Sequence, residues 1–124
     1  MIRIALTGGI GSGKSFISNL FGYPVFNADR SVANIYSKNK NVYFKLKKRL
    51  PEYFFKFPIS KKELIKAIIG NKNNIKIISS IVHPIVRKDL LIFLKKNKKS
   101  KAVVLDIPLY LENKLNKKND IIIF

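Results

Sequence analysis

At 124 residues and 47% apolar composition the chain has the material for one buried core, so its formal charge of +18 is not that of a disordered polyelectrolyte. The absence of cysteine excludes a disulfide framework and thiolate metal sites, and a single histidine excludes a histidine-built metal cluster. No apolar run reaches membrane-spanning length, and Met1 leads into a short strand rather than a basic region followed by an apolar one, so a cytoplasmic chain without a membrane partner is expected.

Ile2 to Thr7 reads as a buried strand, and Gly8-Gly9-Ile10-Gly11-Ser12-Gly13-Lys14-Ser15 fills every fixed position of a G-x-x-x-x-G-K-S phosphate loop directly after it. The glycines let the backbone curl into a nest of N–H donors that opens onto the positive end of the following helix. Lys14 is expected to reach the β and γ phosphates of a nucleoside triphosphate, and Ser15 to offer its hydroxyl to the magnesium ion they carry. The helix is expected to run to about Phe21, where Gly22 and Tyr23-Pro24 stop it. Val25-Phe26 is a short second strand, and Asn27-Ala28-Asp29 leads into a helix with Val32, Ile35 and Tyr36 at helical spacing. A right-handed strand, helix, strand crossover brings the end of strand two to the sheet edge that carries the phosphate loop.

From Asn39 to Asn97 the pattern is helical. Val42, Leu46 and Leu50 share one face before Pro51 interrupts it. Ser60-Lys61-Lys62-Glu63 forms a capping box for a helix that Gly70 closes. A helix over Asn74 to Val82 is expected next, with Pro84 starting a separate one that ends near Lys95 to Lys99. Ala102-Val103-Val104-Leu105, ending in Asp106, reads as a central parallel strand buried on both faces. Leu109 to Leu115 is a short helix or turn, and Asp120 to Phe124 another buried strand. The expected class is therefore α/β: a three-layer phosphate-loop sandwich whose nucleotide-binding core is formed by 1–38 and 101–124, with 39–100 as an all-helical insert that receives a second substrate.

Several side chains have two readings. Asp29 is placed to orient a hydroxyl and accept its proton during phosphoryl transfer, or to cap the helix that begins there. Asp106 stands where phosphate-loop proteins keep an acidic group near magnesium or its water shell, or it shapes the turn before Pro108. His83 is a ligand-facing group or a structural one at a helix junction. Glu112 pairs with a lysine or aligns a cation for substrate.

Together these motifs resemble the dephospho-CoA kinase family. Leu6 to Ser15 looks like that family's nucleotide loop, Asn27-Ala28-Asp29 its Asp-Ala-Asp, Val82-His83-Pro84 its Leu-His-Pro, and Asp106-Ile107-Pro108-Leu109-Tyr110-Leu111-Glu112 its Asp-x-Pro-Leu-Leu-Phe-Glu. The resemblance implies a kinase that phosphorylates the ribose 3′-hydroxyl of dephospho-CoA with ATP and magnesium, in the last step of coenzyme A synthesis. It implies that Gly8 to Ser15 bind ATP, with Lys14 and Asp29 catalytic. Asp29, His83, Asp106, Pro108 and Glu112 would serve the dephospho-CoA side, and Ser15 and Asp106, the latter through water, the metal. Asn27 departs from the family's first Asp. The family continues beyond the strand at 120–124 into an arginine-bearing lid and an adenine-packing segment, so the fold is expected to be C-terminally incomplete. Two other classes fit the same loop: a nucleoside monophosphate kinase, for whose acceptor only Arg49 and Arg87 are available in the insert, and an inactive nucleotide-binding or basic polynucleotide-binding module. The lysines are scattered over helix faces and co-occur with abundant Ile and Asn while arginine is confined to Arg3, Arg30, Arg49 and Arg87, the mark of an A+T-rich coding sequence. A nucleic-acid partner is accordingly not expected.

Overall fold

The computed structural model describes residues 2–6, 22–107 and 120–123. The phosphate loop and the helix expected after it, and the segment with Pro108 and Glu112, lie outside the described residues. The described elements are β1 (Ile2–Leu6), β2 (Val25–Asn27), α1 (Ala28–Lys38), α2 (Lys40–Arg49), α3 (Lys61–Gly70), α4 (Asn74–Lys96), β3 (Ala102–Asp106) and β4 (Asp120–Ile123). The strands pair in the order β2-β3-β1-β4, every pair parallel. This is the α/β arrangement that the sequence led us to expect, with a helical stretch between β2 and β3.

Contacts divide the chain into two units, residues Met1–Arg30 with Arg87–Phe124, and residues Ser31–Val86. In the first, β3 lies between β1 and β2 and all five of its residues are buried, so its unbroken apolar run has no solvent face to alternate toward. Phe26 on β2 packs on Phe93 of α4 with ring centroids 5.6 Å apart, and Leu90 and Leu94 are also buried. Gly22 has φ of 66° and open space where a Cβ would stand, so the need for glycine there is conformational.

The second unit buries Val42, Tyr43, Leu46, Leu50, Phe54, Ile59, Ala67, Ile78 and Val82. Asn39 caps α2 by accepting the Val42 N–H at 3.0 Å. The capping box forms as read: the Glu63 N–H donates to Ser60 Oγ at 3.1 Å, and Glu63 Oε1 accepts the Ser60 N–H at 3.4 Å. The other carboxylate oxygen of Glu63 accepts the Phe55 N–H at 2.7 Å, tying the preceding loop to the start of α3. Gly70 is the last helical residue, and a Cβ on it would strike the Tyr53 ring, so clearance adds to its value as a helix terminator.

The separate helices expected on either side of Pro84 are one helix, α4, which passes through the proline. Proline removes one N–H and costs a helix interior about 3 kcal/mol. Here Ile78, Val82, Val86, Leu90 and Leu94 form a buried row four residues apart, each side chain contributing about 1.5–3 kcal/mol. Ser80, whose carbonyl loses its donor at Pro84, is exposed and open to water. Continuous burial outweighs the lost bond.

Pro84 is itself exposed. Pro84→Ala is therefore expected to raise stability by about 1–3 kcal/mol in urea unfolding; a lower midpoint would mean that the proline ring supports the helix. For Glu63, burial acts to raise the carboxyl, but the N–H donors of Phe55 and Ser60 and the Ser60 hydroxyl outweigh it and hold the group below its usual value of 4.5. Its contribution is then present above the unfolded carboxylate range and lost as pH falls through the lower folded value. Glu63→Gln is expected to cost about 0.5–2 kcal/mol at pH 7. The gap from wild type should narrow below about pH 4 if the carboxylate is the stabilising form.

Candidate functional site

Parallel pairing aligns the carboxyl ends of three strands. Leu6 of β1 stands opposite Asp106 of β3, and Asp106 stands opposite Asn27 of β2. In open α/β sheets this edge is where ligands bind, because helices that start there direct their N–H groups toward it. The sequence from Thr7 through Ser15 follows Leu6 immediately.

Asp106 is buried, at 3% exposure, as the last residue of β3. Its Oδ2 accepts a hydrogen bond from Asn27 Nδ2 at 3.0 Å. Asn27 Oδ1 in turn accepts the Arg30 N–H at 2.9 Å, the N-cap bond of α1. The cap is therefore Asn27, not Asp29, which settles one of the two readings of Asp29. Its carboxylate is exposed in the first turn of α1, close to the positive end of the helix dipole and free of capping duty. Between them Ala28 is fully buried, so a methyl is what the packing at this junction accommodates.

Asp29 and Asp106 thus share the carboxyl edge. His83 belongs to the other unit, half-buried on α4 with its Nδ1 shielded from solvent. Gly8, Gly9, Ile10, Gly11, Ser12, Gly13, Lys14, Ser15, Pro108 and Glu112 fall outside the described residues. Arg49, weighed as an acceptor contact, lines a cleft of about 160 Å³ with Glu52, Tyr53, Asn71 and Asn74 in unit 31–86. Asn27 is the residue that the sequence reading undervalued. An Asn immediately before a helical stretch signals a cap, but its bond to Asp106, 79 positions away, follows only from the strand register.

The buried Asp106 carboxylate is a hard oxygen donor, the class of group through which magnesium is held by one or two side chains together with phosphates and water. Among the described residues no helix is long and apolar enough to cross a membrane.

Comparison with known proteins agrees with this architecture. The sequence profile of the family described as dephospho-CoA kinase matches residues 2–124. A dephospho-CoA kinase of the Wolbachia strain of Brugia malayi is 40% identical over 98% of the chain, and one from Brucella melitensis 34% identical over 97%. The chain spans 65% and 62% of those two proteins. Among solved structures, a Thermus thermophilus protein superposes with a TM-score of 0.76 at 31% identity, covering 93% of this chain and 60% of its own. The dephospho-CoA kinase of Campylobacter jejuni gives 0.74 at 26% identity, covering 98% and 65%. With a family profile matched along nearly its whole length and a parallel sheet shared with these structures, the chain belongs to the dephospho-CoA kinase family.

Proposed function

We propose that the protein transfers the γ-phosphoryl group of ATP to the ribose 3′-hydroxyl of dephospho-CoA, giving coenzyme A and ADP. The observation that carries this reading is the placement of Asp29 and buried Asp106 on one sheet edge, beside the strand whose sequence continues into Gly8 to Ser15. The backbone N–H groups of Gly8 to Ser15 and the Lys14 ammonium hold the phosphates. Asp29 orients the acceptor hydroxyl, whose oxygen bonds to the γ-phosphorus as the bond to the bridging oxygen of ADP breaks, and its carboxylate takes the hydroxyl proton. Magnesium, when bound, neutralises charge on the phosphates, with Ser15 and Asp106, the latter through water, as its protein ligands.

The helical residues 39–100 form the acceptor side in this reading, with His83, Asp106, Pro108 and Glu112 serving dephospho-CoA. The scattered lysines support an anionic small molecule better than a polynucleotide, and the chemistry belongs in the cytoplasm.

The test is mass-detected transfer by the 124-residue chain with ATP, magnesium and dephospho-CoA, beside AMP as alternative acceptor. Coenzyme A should form, and Asp29→Asn should lower turnover by about 10²–10⁴-fold while ATP still binds. Lys14→Ala should weaken ATP binding itself. Transfer to AMP in preference, or transfer indifferent to Asp29, would overturn the assignment.

A further inference from the structure

Against 21 lysines the chain carries four arginines, and one of them, Arg30, follows Asp29 in the first turn of α1. Its backbone is fixed at the carboxyl edge of the sheet. Its N–H donates to Asn27 Oδ1 at 2.9 Å, and Asn27 Nδ2 donates to Asp106 Oδ2 at 3.0 Å. The Arg30 side chain is exposed and, among the described residues, makes no ion pair, hydrogen bond or ring contact. Side chains meet along a helix at spacings of three and four, and there α1 offers Arg30 only Ala33 and Asn34, with Asn27 at the cap; none is anionic. Asp29, one residue away, is turned about 100° around the axis. A cation in the first turn also faces the positive end of the helix dipole, so Arg30 weakens α1, whereas Lys38 in the last turn supports it.

We infer that Arg30 is a substrate-binding residue: its guanidinium holds the diphosphate of the acceptor while Asp29 meets the hydroxyl of the same ribose. The identity of that ligand rests on the kinase reading above. The acceptor ribose carries both groups, the 3′-hydroxyl to be phosphorylated and, through its 5′ carbon, the diphosphate. A carboxylate and a guanidinium at consecutive exposed positions of one helical turn present an acceptor and a set of donors at a fixed spacing to such a molecule. The planar fork of the guanidinium matches two phosphate oxygens at once, which an ammonium does not. With no partner in the protein, it keeps every donor for the ligand. The phosphates of ATP have the Gly8 to Ser15 amides and Lys14 in the same reading, which leaves Arg30 to the acceptor. The helix dipole that opposes the cation in the free protein adds to its pull on a bound anion. Arg30 thus sets which acceptors are taken, favouring a 5′-phosphorylated nucleoside over a bare one.

The experiment compares wild type, Arg30→Ala and Arg30→Lys in the 124-residue chain, by calorimetric binding of dephospho-CoA, adenosine and ATP with magnesium at a fixed neutral pH. Arg30→Ala is expected to weaken dephospho-CoA binding about 10–100-fold and to leave adenosine and ATP unchanged. Arg30→Lys, which keeps the charge and loses the fork, should fall between. In transfer assays KM for dephospho-CoA should rise by the same factor with kcat nearly unchanged, because the contact is made equally before and during transfer. Urea unfolding should give Arg30→Ala a midpoint equal to or above that of wild type, since a cation leaves the positive end of α1. Undiminished binding of dephospho-CoA, an equal loss for adenosine, a loss confined to ATP or a lowered urea midpoint would each overturn the assignment. A wild-type chain that binds dephospho-CoA through Arg30 yet forms no coenzyme A would sink the kinase reading and leave this contact standing.

Discussion

The site depends on the register of β2 against β3. Parallel pairing sets Asn27 opposite Asp106 and, through β1, Asp106 opposite Leu6, so three chain segments separated widely in sequence end on one line. Side chains alternate between faces along a strand, so a slip of one residue would turn Asp106 to the opposite face and break its bond to Asn27. What prevents the slip is the burial of all of β3: every apolar side chain of that strand has a place on one face or the other, and no solvent face tolerates exchange.

A buried carboxylate is costly unless hydrogen bonds satisfy it, and one donor to Asp106 is the side chain of a helix-capping residue. Asn27 thereby couples two requirements usually met by different residues, the satisfaction of the orphan N–H groups of α1 and the solvation of Asp106. The two carboxylates also differ in setting: Asp106 is buried at the end of β3, as the proposed place near a cation would need, and Asp29 is exposed in the first helical turn, as the proposed base for an arriving hydroxyl would need.

Much of this was legible in the sequence because local chemistry determined it. Ser60 and Glu63 announced a helix start that the structure closes with both reciprocal bonds, and the run Ala102 to Leu105 announced a strand buried on both faces. The failure at Pro84 shows where local rules stop. Proline's penalty is confined to one turn, whereas the buried row from Ile78 to Leu94 acts along the whole helix and exceeds it. The bond between Asn27 and Asp106 was out of reach for another reason: a sequence shows that each residue ends a strand but not which strand lies beside it. For Asp29 the cap on Asn27 removes the capping alternative, and its part in catalysis stays a proposal.

The central claim is that the carboxyl edge of the sheet, at Leu6, Asn27 and Asp106, is the nucleotide site. The most direct measurement is a backbone-amide NMR titration of the chain with ATP and magnesium. The account predicts that the largest shifts fall at Leu6, Asn27, Arg30 and Asp106 and leave Ile2 and Lys101, at the other end of β1 and β3, unmoved. Shifts spread over the lysine-bearing helices of residues 31–86, with the edge silent, would contradict it and mark the bound nucleotide as a polyanion attracted by surface charge.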